Sequence, residues 1–153
     1  MNSKKKISIL GFGSWGLGSD SYGHINKINS LKVLNFAVKN GINFIDTSNI
    51  YGKGLAEKRI GEFLSKNSFL RSKLFIATKC GMLNSDSSSW TEKYNFDLKD
   101  IEQSIKKSLI RLKTNYIDLI QLHSPPPKIL MDKKKIHKIL KLFQKLKKIG
   151  TIK

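Results

Sequence analysis

Acidic side chains are scarce in this chain: 11 Asp and Glu stand against 29 Lys and Arg in 153 residues, a net charge of +18 at pH 7. That balance points to an anionic partner, nucleic acid or a membrane surface, unless composition alone accounts for it. Arginine is nearly missing as well, since Arg59, Arg71 and Arg111 are the whole complement and the excess is lysine. Bidentate reading of bases and phosphates leans on arginine. Lysine spread along a chain rich in Ile and Asn reads instead as compositional background. Cysteine occurs once, at Cys80, which excludes an intrachain disulfide and suits a reducing, cytoplasmic setting. The three histidines, His24, His123 and His137, show no metal-ligand spacing with one another or with Cys80, so no metal is expected. No apolar run approaches the ~20 residues that span a bilayer, so no membrane partner is expected. Lys4-Lys5-Lys6 followed by Ile7–Leu10 imitates a signal peptide. The apolar run is too short, however, and breaks at Gly11 and Gly13.

What is present is an alternation of short apolar runs and amphipathic stretches. Ile7–Leu10 reads as a first strand, followed by glycine-rich sequence. Ser30 predicts the N-cap of a helix that buries Leu31, Leu34, Ala37 and Val38 and stops at Gly41. Ile42–Asp46 reads as a second strand, Leu55–Lys66 as a helix using Ile60, Phe63 and Leu64, and Leu74–Lys79 as a third strand. Residues 80–96 read as a long functional loop containing Trp90 and Tyr94. Asp97 is the expected cap of a helix with Leu98, Ile101, Ile105, Leu109 and Leu112 as its stripe. Ile117–His123 is a fourth strand, ended by Ser124-Pro125-Pro126-Pro127. A last helix, 132–148, would turn Ile136, Ile139, Leu140, Phe143, Leu146 and Ile149 inward, stop at Gly150, and lead into a fifth strand at Thr151–Lys153.

Strands separated by helices run parallel through right-handed crossovers. The fold class is therefore α/β, about four parallel β/α units, half of a (β/α)8 TIM barrel, which needs eight and roughly 250 residues. Four strands alone leave two raw sheet edges. Gly11-Phe12-Gly13-Ser14-Trp15-Gly16 matches the spacing of a dinucleotide-binding glycine loop, but the next helical pattern begins only near Ser30. The pyrophosphate needs the helix to open at the last glycine. A glycine-rich loop at a barrel mouth explains these residues better.

Three of the strands end on chargeable residues: Asp46, Lys79 and His123, with Tyr51 five residues after Asp46. In a barrel the C-terminal strand ends share one face, where chemistry is done. Neighbouring strands sit ~5 Å apart, close enough for an Asp46–Lys79 ion pair. A free tyrosine, with a pKa of about 10, is a poor acid near neutrality, and an adjacent ammonium favours its phenolate. Lys79 would thus make Tyr51 a general acid, Asp46 would fix the lysine, and His123 would orient a substrate oxygen.

These residues resemble a known family. Gly41-Ile42-Asn43-Phe44-Ile45-Asp46-Thr47-Ser48-Asn49-Ile50-Tyr51-Gly52, continued by Glu57-Lys58-Arg59-Ile60-Gly61, is similar to the first signature of the aldo-keto reductases. Ile76-Ala77-Thr78-Lys79 resembles their lysine strand, and Ser108–Leu112 with Tyr116–Leu119 and Leu122-His123 their third block. Gly13-Ser14-Trp15-Gly16 resembles the loop after their first strand. The resemblance runs from about Ile7 to Lys153. It implies that residues 1–153 form the N-terminal half of an NADP-dependent oxidoreductase domain, a truncated one. The implied activity is reduction of an aldehyde or ketone by NADPH. Tyr51 would be proton donor, Lys79 and Asp46 its tuners, and His123 the carbonyl orienter. Ser14, Trp15 and Asp46 would approach the nicotinamide, whereas the groups that clamp the adenine end belong to the family's second half. A second chain or self-association would then complete the barrel. The alternative readings are a basic interaction module, using the lysines of the last helix on nucleic acid or anionic lipid, and an inactive remnant.

Overall fold

The structure is a computed structural model that describes residues 6–19, 22–83 and 93–153. Its centre is a four-stranded parallel sheet of β1 (Gly11–Gly13), β2 (Phe44–Asp46), β3 (Phe75–Cys80) and β6 (Leu119–Leu122), in that spatial order. Helices α1 (Lys27–Lys39), α2 (Leu55–Lys66) and α3 (Leu98–Leu112) make the crossovers, and α4 (Pro127–Met131) and α5 (Lys133–Lys148) follow β6. Ile152 bridges Ile117 in parallel, where a fifth strand begins.

Register decides which side chains reach the site. Phe44 pairs with Phe75 and Asp46 with Ala77, and Lys79 pairs with Gln121. Strand side chains alternate between faces, so Phe44, Asp46, Phe75, Ala77, Lys79, Leu119, Gln121 and then His123 share one face. Ile45, Ile76, Thr78 and Cys80 point the other way and are buried beneath the helices. There Ile45, Ile76 and Cys80 join Leu34, Ile60, Phe63, Ile101, Ile105 and Leu112 in the hydrophobic core.

Helix α2 spans the predicted residues, with Ile60, Phe63 and Leu64 buried. Helix α1 starts earlier than the predicted Ser30 cap. Asn26 is the N-cap, accepting from the Asn29 N–H at 2.8 Å, while Ser30 lies inside the helix and donates back to the Asn26 carbonyl at 2.9 Å. The expected strand at Ile7–Leu10 is absent; β1 forms at Gly11–Gly13 instead. Ser8 and Asn43 exchange side-chain and backbone hydrogen bonds at 2.8 and 3.0 Å in place of a ladder, and Ile9 and Leu10 are exposed. Gly11 lies under the Phe44 ring, where a Cβ would meet its Cδ1 at 2.6 Å, so the strand at this place must be nearly bare.

The expected long loop after Cys80 is partly a ribbon, β4 (Met82–Leu83) antiparallel to β5 (Lys93–Tyr94). Trp90 lies outside the described residues. Asp97 occupies the N-cap of α3 without a side-chain capping bond; its carboxylate pairs with Lys135 Nζ of α5 at 3.1 Å. On α5 only Ile139 and Leu146 are fully buried, and Leu142 and Phe143 pack against the core. Leu140 and Ile149, expected inward, are exposed, because the buried stripe runs 139, 142, 143, 146 and is rotated away from them. Among the described residues, no helix is long and apolar enough to cross a membrane.

Candidate active site

Two turns carry the mouth of the sheet. The 3-10 turn Trp15–Gly18 follows β1, and the 3-10 turn Tyr51–Gly54 follows β2. The second turn passes through left-handed backbone at Gly52 (φ 58°), Lys53 (φ 51°) and Gly54 (φ 89°) before α2 begins. Gly52 is required twice over, because a Cβ there would also collide with the Gly18 backbone of the first turn. Arg59 of α2 clamps the same region, donating to the carbonyls of Leu17 and Ile25 at 2.6 Å each.

The four strand-end residues of the sequence reading converge. Lys79 Nζ donates to Asp46 Oδ2 at 2.7 Å, to the Thr47 carbonyl at 2.9 Å and to Tyr51 Oη at 3.2 Å. An ammonium has three N–H bonds, so all are committed and the nitrogen is held in place. Tyr51 Oη accepts from Lys79, which leaves the phenolic proton free to be given elsewhere. The imidazole of His123 meets the Tyr51 ring edge-on, centroids 6.1 Å apart. Burial first, and the neighbouring Lys79 charge second, hold the His123 pKa below its ordinary value, against the opposite pull of Asp46. The ring is therefore neutral near pH 7, able to donate one hydrogen bond and accept one.

Trp15 stacks on Tyr51 at 6.0 Å and 22°, and its indole is partly exposed. Ser14 is fully buried beside it, its N–H bound to the Asp46 carbonyl at 2.9 Å. The hydroxyls of Ser14 and Thr47 have no hydrogen-bond partner among the described residues. Sequence reasoning missed three contacts: Ser48 Oγ to His123 Nδ1 at 2.9 Å, Asn49 Nδ2 to the Met82 carbonyl at 2.9 Å, and the Arg59 clamp. No periodicity marks Ser48 or Asn49, since both follow a strand and precede a turn. Cys80, next to Lys79, is buried and its thiol pKa is pushed up to about 12, so it is not a nucleophile. Among the described residues, no group of three or more His, Cys, Asp or Glu is placed to hold a metal ion.

Residues 9–153 match the model of the aldo/keto reductase family. The chain belongs to the aldo-keto reductases. It is 35% identical to L-galactose dehydrogenase of Arabidopsis thaliana over 122 residues, 80% of this chain and 36% of that protein. It is 33% identical to the uncharacterized oxidoreductase YqkF of Bacillus subtilis over 149 residues, 95% of this chain and 43% of that one. The holo form of aldo-keto reductase AKR11C1 from Bacillus halodurans superimposes with a TM-score of 0.78 at 30% identity, covering 95% of this chain and 44% of its own. The chain thus spans less than half the length of the curated relatives it matches. Its parallel sheet corresponds to part of an aldo-keto reductase TIM barrel.

The family generally uses a nicotinamide cofactor, and the residues present fit one end of it. Ser14 and Thr47 each have a buried hydroxyl with unused hydrogen-bonding capacity, Asp46 offers a carboxylate, and Trp15 offers a partly exposed plane. A polar ring with a carboxamide and a ribose suits that set.

Proposed function

We propose that this chain supplies the proton-handling part of an NADPH-dependent reductase that converts an aldehyde or ketone to an alcohol. The observation that carries the reading is the fully committed ammonium of Lys79, which joins Asp46 and Tyr51 while leaving the phenolic proton unspent. Ser14, Trp15 and Asp46 are the residues that would hold the nicotinamide end. When bound, the cofactor supplies the hydride that reaches the carbonyl carbon. Tyr51 gives its proton to the carbonyl oxygen, completing the alcohol, and the phenolate left behind accepts from the Lys79 ammonium. Asp46 keeps that ammonium charged and in place. Neutral His123 donates a hydrogen bond to the same oxygen and fixes its direction.

Among the described residues β1 has one strand neighbour, and only the start of a fifth strand, at Ile152, lies beyond the β6 segment. We place completion of the site with further parallel β/α units, from a longer form of this polypeptide, a second polypeptide or a second copy. A cytoplasmic setting agrees with a single, buried thiol. All three arginines are engaged inside the fold, so a nucleic-acid reading would rest on lysine alone.

The test is carbonyl-dependent oxidation of NADPH, followed optically, with this chain alone and with the C-terminal half of a relative's barrel supplied. Tyr51→Phe should lower the rate by roughly 10²–10⁴-fold, the usual share of a positioned general acid. A rate unchanged by that substitution removes the proposed proton donor.

A further inference from the structure

One hydrogen bond at the mouth lies outside the Asp46–Lys79–Tyr51 relay. Ser48 is fully buried, and its Oγ lies 2.9 Å from His123 Nδ1. A hydroxyl has one proton and two lone pairs. The Ile50 N–H is directed at Ser48 Oγ from 3.4 Å and occupies one lone pair. The proton then has two acceptors in range, His123 Nδ1 at 2.9 Å and Asn49 Oδ1 at 3.3 Å. The Asn49 amide is oriented independently, because its Nδ2 donates to the Met82 carbonyl at 2.9 Å. A separation of 3.3 Å lies beyond the ordinary ~2.5–3.0 Å span of an O–H···O bond. Nδ1 is the nearer acceptor for that proton; in the opposite arrangement Nδ1–H would donate to the second lone pair of Ser48 Oγ and the hydroxyl would turn to Asn49 Oδ1.

We propose that Ser48 is a positioning residue: by donating to His123 Nδ1 it locks the imidazole as the Nε2–H tautomer and aims that N–H at the substrate oxygen. The significance of the aim rests on the reductase reading above; the tautomer itself does not. In the opposite tautomer Nε2 would present a lone pair to the lone pairs of a carbonyl, and the orienting bond would become a repulsion. The edge-on contact with the Tyr51 ring, at an interplanar angle of 88°, restrains rotation of the imidazole that would undo the arrangement. Ser48 touches no reacting atom in this scheme and acts only through His123.

The experiment is a long-range proton–nitrogen correlation spectrum of the ¹⁵N-labelled chain above neutral pH, with the His24 and His137 rings as internal references. In the wild type, His123 should show a protonated, pyrrole-type Nε2 and a hydrogen-bonded, pyridine-type Nδ1. Ser48→Ala should move the Nδ1 resonance toward that of an unbonded pyridine-type nitrogen, and Ser48→Thr, which keeps the hydroxyl, should restore it. A protonated Nδ1 in the wild type overturns the proposal without any variant. An Nδ1 resonance indifferent to the loss of the hydroxyl overturns it as well. The spectrum needs neither cofactor nor carbonyl, so a locked tautomer in a chain without reductase activity would sink only the reductase reading.

Discussion

Lys79 is held by three acceptors at three different positions of the chain. Its effect reaches His123, whose pKa is held down by burial and by that ammonium. The folded ring resists protonation while the unfolded one titrates near the ordinary imidazole value of 6.5. Below that pH the unfolded state binds more protons, so stability is complete above 6.5 and falls as pH drops through the lower folded value. Urea unfolding at successive pH values should show midpoints declining on the acid side. His123→Gln should flatten that part of the decline; an unchanged slope would assign it to other groups. At this scale the sequence was readable where a chargeable residue ends a strand, as at Asp46, Lys79 and His123. Ser48 was not readable, because a serine after a strand signals only a turn. Its partner 75 residues away is set by the β2–β3–β6 register.

Helix α2 joins the site to the rest of the fold through a buried charge. Glu57 is completely buried, accepting from Thr78 Oγ1 at 2.6 Å and pairing with Arg111 Nε of α3 at 2.6 Å. Thr78 precedes Lys79, so the carboxylate braces the strand that carries the ammonium. Removing one partner from a buried pair costs roughly 3–5 kcal/mol, because the other charge stays desolvated. Arg111→Leu should lower stability by about that amount in urea unfolding, whereas Lys106→Ala should change it by less than about 0.5 kcal/mol. Exposed Lys106 pairs with Glu102 on its own helix. Gly61 gives a second test at the same contact. Replacing a helical glycine by alanine ordinarily stabilises by up to ~1 kcal/mol, but a Cβ here would strike the Arg111 carbonyl oxygen and lie 2.9 Å from Leu112 C. Gly61→Ala should therefore destabilise by about 1–3 kcal/mol, the cost of overpacking; a stabilised variant would show that α2 and α3 separate easily. Amphipathic spacing made α2 and α3 evident in the sequence. The place of β1 was not evident, because apolar Ile7–Leu10 has the propensity for a strand. The decisive fact, the Phe44 ring lying over Gly11, is tertiary.

Across the whole molecule, charge and exposed edge act in opposite directions. The net +18 keeps copies apart. Its bearers are overwhelmingly lysine, since Arg59, Arg71 and Arg111 are the whole arginine complement. Against this, β1 has one neighbour among the described residues, and Ile9 and Leu10 stand exposed just before it. A strand with unpaired N–H and C=O groups beside apolar side chains is a template for further pairing. Repulsion between exposed charges is screened by salt, the Debye length falling from ~30 Å at about 0.01 M to ~3 Å at about 1 M. Edge pairing and apolar contact are short-ranged and survive screening. Sedimentation velocity should therefore find the chain monomeric at low ionic strength and shifted to larger species at high ionic strength. Supplying the complementary barrel half should suppress that shift by occupying the same edges. A chain that stays monomeric across the whole salt range would mean its edges are not available for pairing, and barrel completion through them would fall.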